Sequence, residues 1–171
     1  MKTIRTQTLF APFVIAILLL LNSSAAMAGG QHETGGDKGK FPGHIEITFT
    51  KWLADYPNMA GLVSGDAGAG HFVGKVLNLE HTGTIDKIEA LYHINGGAFQ
   101  FTAHNYVTED FRTGTAMIRG VVTDGPMKGA QVRGQFQQIS PCGIFNAQKG
   151  DGGDVCLQGT LTIGPGSEGQ D

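Results

Sequence analysis

From Ile45 to Ile163 hydrophobic residues recur at every second position in short runs, and Gly, Asn, Asp or Pro separates one run from the next. A period of two is that of a half-buried strand, and the separators are turn formers. Ile45, Ile47 and Phe49 alternate with Glu46, Thr48 and Thr50 in a first strand that runs on towards Leu53, before Tyr56-Pro57-Asn58 breaks it. Met59 to Ser64 follows, then the turn-rich segment 65–70, then His71 to Glu80. Thr84 to Ile94 and Ala98 to Val107 flank Asn95-Gly96-Gly97, a strong hairpin signal because a type I′ turn needs positive φ at both central residues. Thr115 to Thr123 and Met127 to Ile139 form a second hairpin around Asp124-Gly125-Pro126, and Cys156 to Ile163 is the last strand. The pattern predicts an all-β domain of about eight strands in up-and-down antiparallel order, with no convincing helix. Closing such a sheet into a barrel removes its exposed edges and leaves an interior that side chains fill or that holds one small ligand.

Strand parity assigns faces even where register is open. Ala90, Tyr92 and Ile94 share a face with Phe99, Phe101 and Ala103 whichever two residues make the 95–97 turn. Tyr92, Phe99 and Phe101 are therefore the candidates for lining a cavity, and they serve equally well as plain core. The other face carries Glu89 and His93 beside His104, which reads as the solvated outside of a barrel more readily than as an acid–base or metal site. Arg119, between Met117 and Val121, is a candidate for meeting an anionic head group inside, although Ile118 and Val122 make an equally good inward face and would turn it out. Gly74, Gly120, Gly134 and Gly159 fall in mid-strand, where a barrel would bend or bulge.

The chain ahead of this domain has a different character. Lys2 and Arg5 precede an apolar run from Leu9 to Leu21 broken only by Pro12, and Ala26-Met27-Ala28 has the small-residue form of a cleavage site. That is the pattern of a cleavable signal peptide over residues 1–28, and the run is shorter than the roughly 20 residues a membrane span needs. Cleavage after Ala28 implies a secreted or periplasmic protein with no stable membrane anchor. All 27 Gly lie beyond that point. Two of the 12 basic residues and none of the 15 acidic ones lie before it, so the formal charge goes from -3 to -5 on cleavage. An acidic domain without a basic stripe excludes nucleic acid as the expected partner. Residues 29–43 and 164–171 are polar and Gly-rich and read as a flexible lead-in and tail, which leaves 44–163 for the barrel.

Cys142 and Cys156 both fall in the exported part, where an oxidising compartment favours a disulfide between them over free thiols. They lack the spacing of a zinc or redox pair. The six His are scattered without a metal-binding spacing, so no metal is expected. Gly150-Asp151-Gly152-Gly153-Asp154 has the carboxylates of a calcium loop but not the ligand count, and reads as a turn. Ser64 does not sit in a nucleophile elbow, and the glycines of 65–74 match neither a dinucleotide nor a phosphate loop.

The segment from Gly120 to Gly134, GVVTDGPMKGAQVRG, resembles the hairpin of allene oxide cyclase and dirigent type barrels, in which a Gly-rich turn leads to a Gly-Ala-x-Gly strand. Leu157-Gln158-Gly159-Thr160-Leu161 stands where those families place a closing F-x-G-T-L strand, and Gly68-x-Gly70-x-x-x-Gly74 resembles their Gly-rich approach to an earlier strand. The likeness extends over most of 59–163. It implies an eight-stranded barrel whose cavity holds a small hydrophobic molecule without metal or organic cofactor. In relatives that are enzymes the cavity directs a cyclisation by confining a flexible substrate. No position here matches a catalytic motif, so three readings stand together: a binder of small hydrophobic molecules, a cofactor-free cyclase or isomerase, and a structural or interaction module of the envelope with a packed interior. Oligomeric state is left open.

Overall fold

A computed structural model describes residues 43–165. The leader expected over 1–28, the lead-in up to residue 42 and the tail from 166 lie outside the described residues. The strands are β1 (Ile45–Asp55), β2 (Asn58–Gly65), β3 (Gly70–Thr82), β4 (Ile85–Gly96), β5 (Gln100–Asp110), β6 (Thr115–Asp124), β7 (Gln131–Ile139) and β8 (Cys156–Gly164). Each pairs antiparallel with the next, and β8 returns to β1 with Ile45 opposite Ile163 and Lys51 opposite Leu157, so the sheet closes. The alternation dictates this, because every second side chain of a closed sheet must leave water. Phe49, Phe72, Phe101, Ile118 and Leu161 are all fully buried inside. Each such side chain contributes roughly 1.5–3 kcal/mol relative to exposure.

Three expectations change on contact with tertiary structure. The 95–97 segment forms no two-residue turn: Asn95 pairs with Gln100, Gly96 N–H donates to Phe99 O at 3.0 Å, and neither Gly96 nor Gly97 has positive φ. What sets this longer tip is the β2–β3 turn lying against it. Ala98 and Phe99 N–H donate to Ala67 O at 2.9 and 3.3 Å, Gly97 N–H donates to Ala69 O at 3.1 Å, and a Cβ on Gly96 would collide with Ala67. The expected facing is unaffected, with Tyr92 opposite Ala103 and Ile94 opposite Phe101.

Second, β7 begins at Gln131 rather than at Met127. Residues 125–130 form a turn in which Ala130 N–H donates to Met127 O at 2.9 Å, and Met127 is buried against the barrel end. Third, the ladders run through Gly120, Gly134 and Gly159 without a shift, and the irregularities lie at Leu53/Asp55, Val76/Asn78 and Thr102/Ala103. The mid-strand glycines instead let neighbouring strands approach. A Cβ on Gly159 would sit 2.7 Å from Phe136 Cα, closer than carbon atoms approach without covalent bonding.

The β7–β8 connection holds a short helix, α1 (Phe145–Gln148), and the disulfide Cys142–Cys156, whose Cα atoms are 5.3 Å apart. Trp52 points outward from β1 and would be exposed were it not covered by Ala147 and Cys156, with Ile139 and Ile144 packed alongside. At the other end of β8, Gly164 is paired with Gln131 and buried, so the strand extends one residue past its expected stop.

Candidate functional site

The interior is divided. Towards the β2–β3, β4–β5 and β6–β7 turns it is filled by Ile45, Ile47, Ile94, Phe101 and Ile163, and Ala67 caps it. Towards the β1–β2, β3–β4 and β5–β6 turns it opens into a cavity of about 260 Å³. That is just below the usual range of about 300–1,000 Å³ for small-molecule pockets, so the space suits a small compact molecule. Met59, Val76, Ile88, Val107 and Leu157 give it apolar walls, and Tyr56 and Leu79 stand at its mouth with much of their surface exposed.

Lys51 is the polar group at the inner end of this cavity. It continues the inward phase of β1 after Ile45, Ile47 and Phe49, and it is 2% exposed. Gly61, opposite it on β2, makes the room: a Cβ there would lie 2.9 Å from Lys51 Cα. Lys51 Nζ donates to Tyr92 Oη at 2.5 Å. Around it stand the rings of Tyr92 at 4.3 Å, Phe136 at 4.6 Å, Phe49 at 5.5 Å and Phe72 at 5.6 Å, an arrangement that favours the amine by cation–π attraction. Among the described residues no carboxylate lies within ion-pair distance of Nζ.

Burial without a salt bridge disfavours the ammonium form and brings Lys51 down from its ordinary 10.5 to about 7, although the charge of Glu109 opposes the fall. Tyr92 is pushed upward by the same burial and then by the negative charge of Glu109. Glu109, inward on β5 and lining the cavity, is raised by desolvation; Lys51 lowers it and Asp86 raises it further. The cavity thus joins an amine that is about half unprotonated near neutral pH to a carboxyl group that keeps its proton longer than usual. One more polar group lies inside. Asn105 is fully buried, and its amide donates to Ala103 O at 3.1 Å while Oδ1 has no partner. Gly120 faces it on β6 and leaves the space it occupies.

Of the residues singled out from the sequence, Tyr92 lines the cavity. Phe101 is buried in the packed half, and Phe99 is half-buried beside the closed end. Arg119 is exposed on the outside of β6, paired across the ladders with Tyr106 and Arg133, because Ile118 and Val122 take the inward phase. The cavity therefore takes its basic group from Lys51. His104 and Glu89 meet on the outer face, Nε2 to Oε1 at 2.7 Å, and His93 lies 3.0 Å from Thr102 Oγ1. The carboxylates of the 150–154 loop are occupied by backbone: Asp151 accepts from Tyr56 N–H at 2.6 Å, and Asp154 accepts from Cys142 and Gly143 N–H at 3.1 and 3.0 Å.

Lys51, Asn105 and Glu109 are not among the sequence candidates, although each is a polar residue on an apolar phase. Lys51 sits two places after Phe49, and Asn105 and Glu109 flank Val107 in the series begun by Phe101 and Ala103. A charge at such a position marks either the end of burial or a site, and only the closed sheet distinguishes the two. Compared with family models, curated proteins and solved structures, the chain matches none.

Proposed function

We propose that this is an exported barrel that binds a small hydrophobic molecule bearing one polar group. The observation that carries the reading is the apolar cavity of about 260 Å³ that ends on a single buried amine. Burying an amine without a partner charge costs several kcal/mol, a cost that a packed structural interior has no reason to bear. The closed half of the barrel is packed as a purely structural module would be, and the open half is not. Export is supported by the leader over 1–28 and by the Cys142–Cys156 disulfide. The resemblance of 120–134 and 157–161 to allene oxide cyclase and dirigent type barrels supports the same use of the interior, with a cyclase or isomerase as the enzymatic form of that reading.

Thermal-shift and native mass measurements against compact aromatic and terpenoid compounds test it. One-to-one binding with a rise in melting temperature is expected, and Val76→Trp, which fills the cavity from β3, abolishes both without unfolding the barrel. Absence of any binder, or binding unaffected by a folded Val76→Trp variant, overturns the assignment.

A further inference from the structure

We propose that Lys51 captures carbonyl compounds: a small apolar aldehyde or ketone enters the cavity and is held as an imine on Nζ. This deepens the reading of the cavity as a small-molecule site and rests on it.

Five observations converge on that ligand class. The amine lies at the inner end of the cavity, and its only hydrogen-bond partner among the described residues is the Tyr92 phenol. A structural lysine in a barrel would be expected to reach a carboxylate, whereas this one is held by aromatic rings and a phenol. Most of the walls are apolar, which suits a hydrocarbon skeleton. Asp86 also lines the cavity, so an incoming carboxylate meets a carboxylate there while a neutral carbonyl does not. Finally, burial brings Lys51 down to about 7, which frees a share of the amine near neutral pH, and it raises Glu109, which favours the acid form.

The chemistry balances with these groups alone. The Nζ lone pair forms a bond to the carbonyl carbon as the C=O π pair moves to oxygen, and a proton passes from nitrogen to that oxygen to give a carbinolamine. The nitrogen lone pair then expels the hydroxyl group, which takes a proton from Glu109 and leaves as water. Loss of the remaining N–H proton to the Glu109 carboxylate completes the neutral imine and restores the acid. One water is released, and neither an oxidant nor a reductant is consumed.

Benzaldehyde with sodium cyanoborohydride reads this directly, since hydride traps an iminium as a secondary amine and adds the mass of the aldehyde less one oxygen atom. Peptide mapping at pH 7 is expected to show Lys51 labelled about tenfold or more faster than Lys75, Lys87, Lys128 or Lys149, because a larger share of it is unprotonated. Excess benzyl alcohol, which has the same skeleton without the carbonyl, slows labelling at Lys51 and not at the other lysines. Glu109→Gln slows it several-fold and flattens its pH dependence, and Lys51→Met abolishes the fast label. Labelling of Lys51 at or below the rate of the surface lysines overturns the proposal. If benzyl alcohol still raises the melting temperature in that case, the cavity remains a small-molecule site without covalent chemistry. If it does not, and no other compound binds, both readings fall together.

Discussion

The two ends of the barrel are made from the same alternating strands, and they differ in what lies across them. At one end the 66–69 turn is hydrogen-bonded to the tip of β4–β5 through Ala67 and Ala69, and Met127 and Ala130 fill the remaining space. At the other, the inward phase reaches Lys51, Glu109 and Gln138, polar side chains that line the cavity, and the β7–β8 connection lies against the outside of β1 instead of across the opening. A closed sheet alone therefore makes neither a core nor a cavity. The residues placed on its inward phase, and the turns that fold over its ends, decide which one forms.

The largest test of that contrast is Phe101→Ala in the packed half. It should lower the unfolding free energy by about 3–5 kcal/mol in denaturant titration, as truncation of a fully buried aromatic ring does. A loss below about 1 kcal/mol would mean that this half is no better packed than the open one.

Replacing Cys142 and Cys156 together by alanine comes next. In the chain-entropy model the loop they close is worth about 3 kcal/mol. Because the bridge serves the segment beside the opening, amide exchange should rise most over 140–155 and around Trp52, while the Ala67 hydrogen bonds stay protected. Uniform loss of protection over the whole barrel would contradict the division into two ends.

Lys51→Met gives the smallest change and the most specific one. Lys51 titrates near 10.5 in the unfolded chain and at about 7 in the barrel, so between those values the unfolded chain binds more protons and stability rises with pH. Tyr92, raised by burial, adds the opposite slope above its ordinary value of 10, which makes pH 7 to 10 the clean window. The variant should be more stable than the parent by about 2 kcal/mol at pH 7, as when a buried charge yields to a hydrophobic residue. That advantage should shrink towards pH 10, and the variant itself should show little slope. Parallel stability curves for the two proteins would show that Lys51 is not the buried titrating group. Glu109, raised in the fold, works at the acid side: its contribution is present below its ordinary value of 4.5 and is lost as pH rises through the raised one.

Much of the fold can be read along the chain. The alternation around Ile45, Tyr92 and Phe101 assigns strands and faces because a period of two leaves only one apolar side to bury, and the Cys142–Cys156 pair expected from the sequence is formed. The candidate site was only partly legible. Tyr92 follows from the same parity, but so does Phe101, and nothing local tells the ring that lines a cavity from the ring that fills a core. Arg119 is a cation flanked by hydrophobic residues and lies outside, whereas Lys51 has a weaker local signal and is pointed inward by the phase set by Phe49.

By itself the sequence determined about eight strands, their antiparallel order and the shared faces of the β4–β5 hairpin, since these depend on local spacing and on turn residues close in the chain. Tertiary structure decided the rest. The tip at 96–99 takes its shape from Ala67, and the Lys51 environment is assembled from β1, β3, β4 and β7, while Glu109 comes from β5. The reason is that solvation is not a local property: whether an amine lies in water or among four aromatic rings is settled only when the last strand pairs with the first.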